Sequence, residues 1–165
     1  MQIRLAKISD ERHALEIERA GGASERVELE TRSTLQHDFL HYAVEAEAGL
    51  DGGFWGSLAR GATLERLNDR MQTPMSPELA EIEQVVGALH GGTKGQSAVQ
   101  LIAGMRRFAQ ALGQGLPAWL SETMLAGALE RLRQVQGRWR ATPYGGTLEL
   151  DWPAAVSSTS LRTGA

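Results

Sequence analysis

Apolar residues recur at every second position near both ends of this 165-residue chain, and at helical spacing in between. A strand shows a period of two and a helix a period near 3.6, so these two changes of period leave few architectures open. Between Met1 and Glu30, Ile3 and Leu5 alternate with Gln2, Arg4 and Ala6, and Lys7-Ile8 extends the run. Leu15 and Ile17 alternate with Glu16 and Glu18, and Val27 and Leu29 with Arg26, Glu28 and Glu30. Ser9-Asp10-Glu11-Arg12 and Gly21-Gly22-Ala23-Ser24 have the composition of turns. Three short strands, apolar on one face and charged on the other, form an antiparallel meander. Later, Trp139 and Ala141 alternate with Arg138 and Arg140, Pro143-Tyr144-Gly145-Gly146 turns, and Leu148, Leu150 and Trp152 alternate with Glu149 and Asp151. That pattern predicts a second hairpin. A lone hairpin is marginal in water, so both segments are predicted to share one sheet of about four to five strands.

The middle of the chain predicts helices. Leu35 to Gly49 places Leu35, Phe39, Tyr42, Ala43, Ala46 and Leu50 on one side, with Ser33 or Thr34 as cap, Asp38 near the positive helix end and Gly49 as stop. The glycine-rich corner Asp51-Gly52-Gly53-Phe54-Trp55-Gly56 breaks this helix. It lacks the Gly-Lys-Ser/Thr of a phosphate loop and no strand leads into it, so it reads as a bend with two aromatics packed inward. Short helices are predicted over residues 54–60 and 63–71. Ser76-Pro77-Glu78 starts another helix that buries Leu79, Ile82, Val85, Val86 and Leu89 and ends at His90-Gly91-Gly92. Residues 91–97 read as a flexible connection. Ala98 to Leu112 is predicted to face Leu101, Ile102, Met105, Phe108, Ala109 and Leu112 inward, and a last helix runs from Pro117 or Ser121 to Gln136. Strands, then helices, then strands give an α+β fold with an antiparallel sheet and the helices packed on one face. Residues 1–153 form a single domain on this reading, and 154–165, small and polar with no period, form a disordered tail.

The helix from Leu35 carries two of the four histidines. His37, His41 and Glu45 follow one another at i, i+4 and i+8, forming a row with Asp38 beside it and Leu40 and Val44 on its flanks. Two imidazoles one turn apart can reach a single ion, which is why metalloproteases carry His-Glu-x-x-His on a helix. Here the string is His37-Asp38-Phe39-Leu40-His41. Aspartate is shorter than glutamate and sits farther from a metal-bound water, which argues against proteolysis. His37, His41, Glu45 and Asp38 are therefore the candidate residues for a divalent metal. A further ligand is sought in Glu45, Glu47, His90, His13 or a distant carboxylate. The alternative is that both histidines are ordinary polar residues at the edge of an amphipathic helix, hydrogen-bonded to Asp38, Glu45 or a neighbouring carbonyl.

Over these five residues the chain resembles the zinc motif of the ubiquinone-biosynthesis scaffold proteins. That family places a glutamate farther along, at the position of Gly53 here. The resemblance implies zinc at His37 and His41 and ends there.

Composition sets the remaining bounds. The formal net charge of −3, with no evident basic face, argues against nucleic-acid binding driven by counterion release; Arg131, Arg133, Arg138 and Arg140 read as a solvated helix end. The absence of cysteine excludes disulfides, thiolate zinc sites and cysteine nucleophiles. No apolar run approaches the roughly 18 residues of a membrane span, and the first residues lack the apolar stretch of a signal peptide. A cytoplasmic protein without membrane partner or organic cofactor is the expectation. Two functions then stand. One is a non-enzymatic interaction or regulatory module, as a homodimer through a sheet edge or helix face. The other is a metal-binding protein or metal-dependent enzyme built on the histidine row. The lack of a nucleophile elbow, phosphate loop or dinucleotide fingerprint favours the first at the level of sequence.

Overall fold

The computed structural model describes residues 1–68, 75–90 and 95–153. Its strands are β1 (Gln2–Lys7), β2 (Arg12–Glu18), β3 (Ser24–Glu30) and β4 (Thr147–Asp151). They form one antiparallel sheet in the order β3-β2-β1-β4. The helices are α1 (Gln36–Ala48), α2 (Phe54–Ala59), α3 (Leu64–Asn68), α4 (Pro77–His90), α5 (Ala98–Ala111) and α6 (Glu122–Ala141), and a π-helical turn over Thr31–Leu35 leads into α1. The α+β architecture with one antiparallel sheet is the one the hydrophobic periods predict. Among the described residues the strand count is four. The expectation for the tail, 154–165, falls outside the described residues, as do parts of those for 63–71 and 91–97.

Register follows from which face must be dry. Ile3 pairs with Ile17 and Leu150, and Leu5 with Leu15 and Leu148, so these six side chains form one buried layer beneath the helices. A slip of one residue would send all of them to water, so burial fixes the pairing. The same pairings place Arg4 beside Glu16 and Glu149 on the opposite face, and its guanidinium bridges Glu16 at 3.1 Å and Glu18 at 2.8 Å. The outer edge strand β3 departs from this pattern. Val27 and Leu29 are only half-buried, because a cavity covers them in place of packed core.

The predicted C-terminal hairpin is half right. Thr147–Asp151 is a strand beside β1, but Arg138 to Ala141 is the last turn of α6. Four alternating residues are too few to separate the two periods, and Leu132, Val135 and Trp139 also fit helical spacing. Tertiary contacts decide in favour of helix. Lys7 Nζ donates to the carbonyls of Trp139 at 2.8 Å and Thr142 at 2.7 Å, placing a cation on the negative end of α6 and tying it to β1. A second correction concerns α5: Phe108 is 65% and Leu112 56% exposed, although their spacing predicts an inward face. Among the described residues this helix packs chiefly against α6 and α4, and Leu101, Ile102 and Ala109 are its buried side chains. The expected Ser33 or Thr34 cap is also absent. Both hydroxyls donate back to Glu30, and α1 begins from the π-helical turn with no side-chain cap. Among the described residues no helix is long and apolar enough to cross a membrane.

α1 is the central helix. It packs against both α6 and α4, and every residue from Asp38 to Glu45 is buried. Phe39, 2% exposed, meets Trp139 edge-on with ring centroids 6.3 Å apart. Phe39→Ala is expected to cost about 3–5 kcal/mol in urea titration; a loss under about 1 kcal/mol would place the ring outside the core.

His13 on β2 is fully buried, with Nδ1 3.2 Å from the Thr31 hydroxyl and the ring edge-on to Trp139. Burial pushes its pKa down to about 4 from an ordinary 6.5. Between those values the unfolded chain takes up a proton that the folded chain refuses. This contribution to stability is therefore complete above pH 6.5 and lost as the pH falls toward 4, by up to about 3 kcal/mol. Urea titrations of wild type and His13→Leu should diverge in slope within that window and run parallel above it.

Candidate metal centre

The centre starts from one buried carboxylate. α1 ends at Gly49, whose positive φ of 66° closes the helix with its N–H on the Glu45 carbonyl. The chain then doubles back through the glycine-rich corner, so the first amides of α2 point at the Glu45 side chain. Phe54 N–H donates to Oε1 at 2.8 Å, and Trp55 N–H to Oε2 at 2.9 Å, with Gly56 N–H at 3.4 Å from the same oxygen. Gly53 is required by this approach, since a Cβ there would overlap the Glu45 carboxyl group. The corner is an anion cradle after all, and its anion is a side chain of the preceding helix.

Glu45 also holds His41. The imidazole Nδ1 lies 2.8 Å from Oε1, and because a carboxylate only accepts, Nδ1 carries the hydrogen. In the neutral ring Nε2 then faces the other way with its lone pair. It stands 3.1 Å from His37 Nε2 and 3.5 Å from Glu83 Oε1, and His37 Nε2 is 3.8 Å from Glu83 Oε2. Glu83 comes from α4. Ligand atoms of His37, His41 and Glu83 all lie within 4.8 Å of one another. Zinc bonds of about 2.0–2.2 Å at tetrahedral angles require ligand atoms about 3.3–3.6 Å apart, so an ion fits among these three with small side-chain movements. The donor set, two imidazoles and one carboxylate, is the set that zinc hydrolases use, with a fourth position open. It is also the facial triad of non-haem iron sites.

Charge at the site bears first on protonation. Burial alone would lower the His41 pKa, but hydrogen bonds to Glu45 and Glu83 outweigh it and raise it to about 9. An ion would therefore have to displace a proton from Nε2 at neutral pH. Asp38, 8% exposed, behaves oppositely: burial raises its pKa to about 7, and the charge of His41 only tempers this.

The triad opens on a cavity of about 460 Å³ between β3, α1, α3 and α4. Leu15, Val27 and Leu29 form its sheet side, while Phe54, Leu64 and Leu79 come from helices. His37, His41, Glu83 and Asp38 share one wall. Asp38 Oδ2 is buried with no hydrogen-bond partner.

Of the four residues picked from sequence, His37 and His41 enter the triad. Glu45 stands behind His41 as its orienting partner, and Asp38 lines the cavity beside them. Glu83 was reachable only as an unspecified distant carboxylate. Its one local signal was a charged residue between Ile82 and Val85 of a core-facing helix. Among the other ligands considered, Glu47 pairs with Arg131 at 2.9 Å and His13 sits against Thr31. The His90 ring is 6.1 Å from that of His37 and outside the triad.

Glu45→Gln would turn an amide N–H toward a backbone or imidazole donor that now has an acceptor. The expected loss is at least about 2 kcal/mol, from stranded buried donors. The same variant should bind divalent metal more weakly by about 10- to 100-fold, the usual effect of removing a histidine's orienting partner. Unchanged stability in urea would contradict the cradle.

Comparison of the chain with protein families, curated proteins and solved structures returns no match.

Proposed function

We propose that this protein is a metal-dependent enzyme in which His37, His41 and Glu83 hold one divalent transition ion, zinc by preference, at the wall of a small-molecule cavity. The reading rests on one observation. Three ligand atoms from two helices converge at separations near those of a tetrahedral zinc site, and Glu45 holds His41 in the coordinating tautomer. With three protein ligands, a bound ion keeps a position free to polarise a substrate oxygen or to generate hydroxide from water. Hydrolysis of a small substrate is the reaction class that suits this donor set.

The interaction-module reading draws support from α5, where Val99, Phe108 and Leu112 are all more than half exposed. It makes no use of the triad, so the two readings part on metal content.

Protein purified without a metal-affinity tag should hold about one equivalent of zinc per chain after dialysis. Chelation should lower the melting temperature, because an ion that binds only the folded state stabilises it. His37→Ala and Glu83→Ala should each abolish the retained metal and the chelator effect together. Affinity should fall as the pH drops, because protonated imidazole cannot coordinate. A wild-type melting temperature indifferent to both zinc and chelator would sink the proposal.

A further inference from the structure

The cavity beside the triad is lopsided. Its sheet side is aliphatic, and its polar lining comes from α1 and Glu83 of α4, with Ser33 and Thr34 of the π-helical turn and Arg66 of α3. At about 460 Å³ it falls within the roughly 300–1,000 Å³ range of small-molecule sites. On the α1 wall Asp38 is more than nine-tenths buried, and its Oδ2 has no hydrogen-bond partner. Leaving such an oxygen unpaired costs about 1–3 kcal/mol. A buried acceptor without a donor, on a wall that faces an aliphatic space, is half of a recognition site.

We infer that the cavity takes a small, chiefly aliphatic molecule whose single polar end carries an O–H or N–H that donates to the Asp38 carboxyl group. The aliphatic part lies over Leu15, Val27 and Leu29, which explains why β3 leaves its apolar face short of packed side chains. The polar end is drawn to the α1 wall, where its heavy atom comes beside His37 and His41. This deepens the proposed function by naming a substrate class, and only the approach to an ion rests on that reading. A ligand polar along its whole length would lose water over Val27, Leu29 and Leu64 without replacing it. Asp38 acts here as a specificity residue. A site built around a hydrogen-bond acceptor rejects isosteres that lack the donor more strongly than it rejects a change of one methylene.

The test is calorimetric titration with straight-chain primary alcohols from butanol to octanol, and with the alkyl methyl ether isomeric with hexanol, which has no O–H. Each is run on zinc-loaded and on chelator-treated protein, with zinc content measured beforehand. Affinity for the alcohols should rise about three- to four-fold per methylene while the cavity has room. The ether should bind about ten-fold more weakly than hexanol to wild type. In Asp38→Ala the alcohol and the ether should bind alike, while the dependence on chain length remains. Circular dichroism and the melting curve of that variant establish that it is folded. If it does not fold, the comparison of alcohol and ether in wild type decides alone. No gain along the alcohol series overturns the aliphatic assignment, and equal binding of hexanol and its ether by wild type overturns the role of Asp38. Protein that retains no zinc yet ranks the alcohols and ether as expected would overturn the metal reading and leave this inference standing.

Discussion

Glu45 is the residue on which the rest of the structure turns. A fully buried carboxylate is tolerated only when its oxygens are occupied, and here three backbone amides and one imidazole N–H surround it. Those bonds couple features far apart in chemical character. They set the direction in which the chain leaves α1, so that α2 folds back along it. They bring Trp55 under α1, with its indole N–H on the Asp38 carbonyl. They also fix the tautomer and tilt of His41. One side chain therefore orders both a piece of the core and the face of a candidate metal site. Removing it would be felt in stability and, on the proposed reading, in metal affinity at once.

The sheet and the cavity are linked by a similar economy. β1, β2 and β4 put Ile3, Leu5, Leu15, Ile17, Leu148 and Leu150 under the helices, and these are buried almost completely. β3 continues the alternation but lies at the edge. α3 stands there on the carboxylate of Glu25, which accepts from Leu64 N–H at 2.9 Å and pairs with Arg19 at 2.6 Å. Arg19 in turn donates to the carbonyls of Leu58 and Ala62, at 2.8 and 2.6 Å. This polar clamp fastens the end of α2 and the start of α3 to the hairpin. The elements are held at their ends by these bonds, and Val27, Leu29 and Leu67 pack at the margin of the core that Leu64 joins, on the side that lines the cavity.

Much of this was legible in the chain, for identifiable reasons. The meander was legible because charged residues alternate strictly with Ile, Leu and Val, which only a half-buried strand requires. α1 was legible from its period, and the histidine pair from spacing alone. What escaped depended on distance or on competition. Glu83 lies far from His37 in sequence, and nothing in a lone glutamate on α4 announces a partner on α1. The role of Glu45 stayed open between ion ligand and hydrogen-bond partner because the i, i+4 relation to His41 fits both equally. The glycine corner that decides between them looked like a simple bend. Trp139 to Ala141 was misread because a four-residue alternation carries less information than the contact of Lys7 with the end of α6. Phe108 and Leu112 show the opposite error, a good amphipathic stripe on a helix with too few neighbours to cover it.

The same residues explain why an ion here would act on a molecule in the cavity instead of serving as a staple. A structural zinc site is closed by four protein ligands, and the two nearest carboxylates that could supply a fourth are otherwise disposed. Both oxygens of Glu45 accept from the α2 amides, so turning one toward the ion would strip donors of their partner. Asp38 has an unpartnered oxygen but sits one residue after His37, and the triad does not include it. His41 is almost fully enclosed, while His37 is 28% and Glu83 22% exposed, so the set is dry on the α2 side and open on the cavity side. On the proposed reading His37, His41 and Glu83 would hold the ion and leave it a position for substrate or water, and a molecule filling the cavity would exclude water from these side chains, which strengthens their electrostatic contacts.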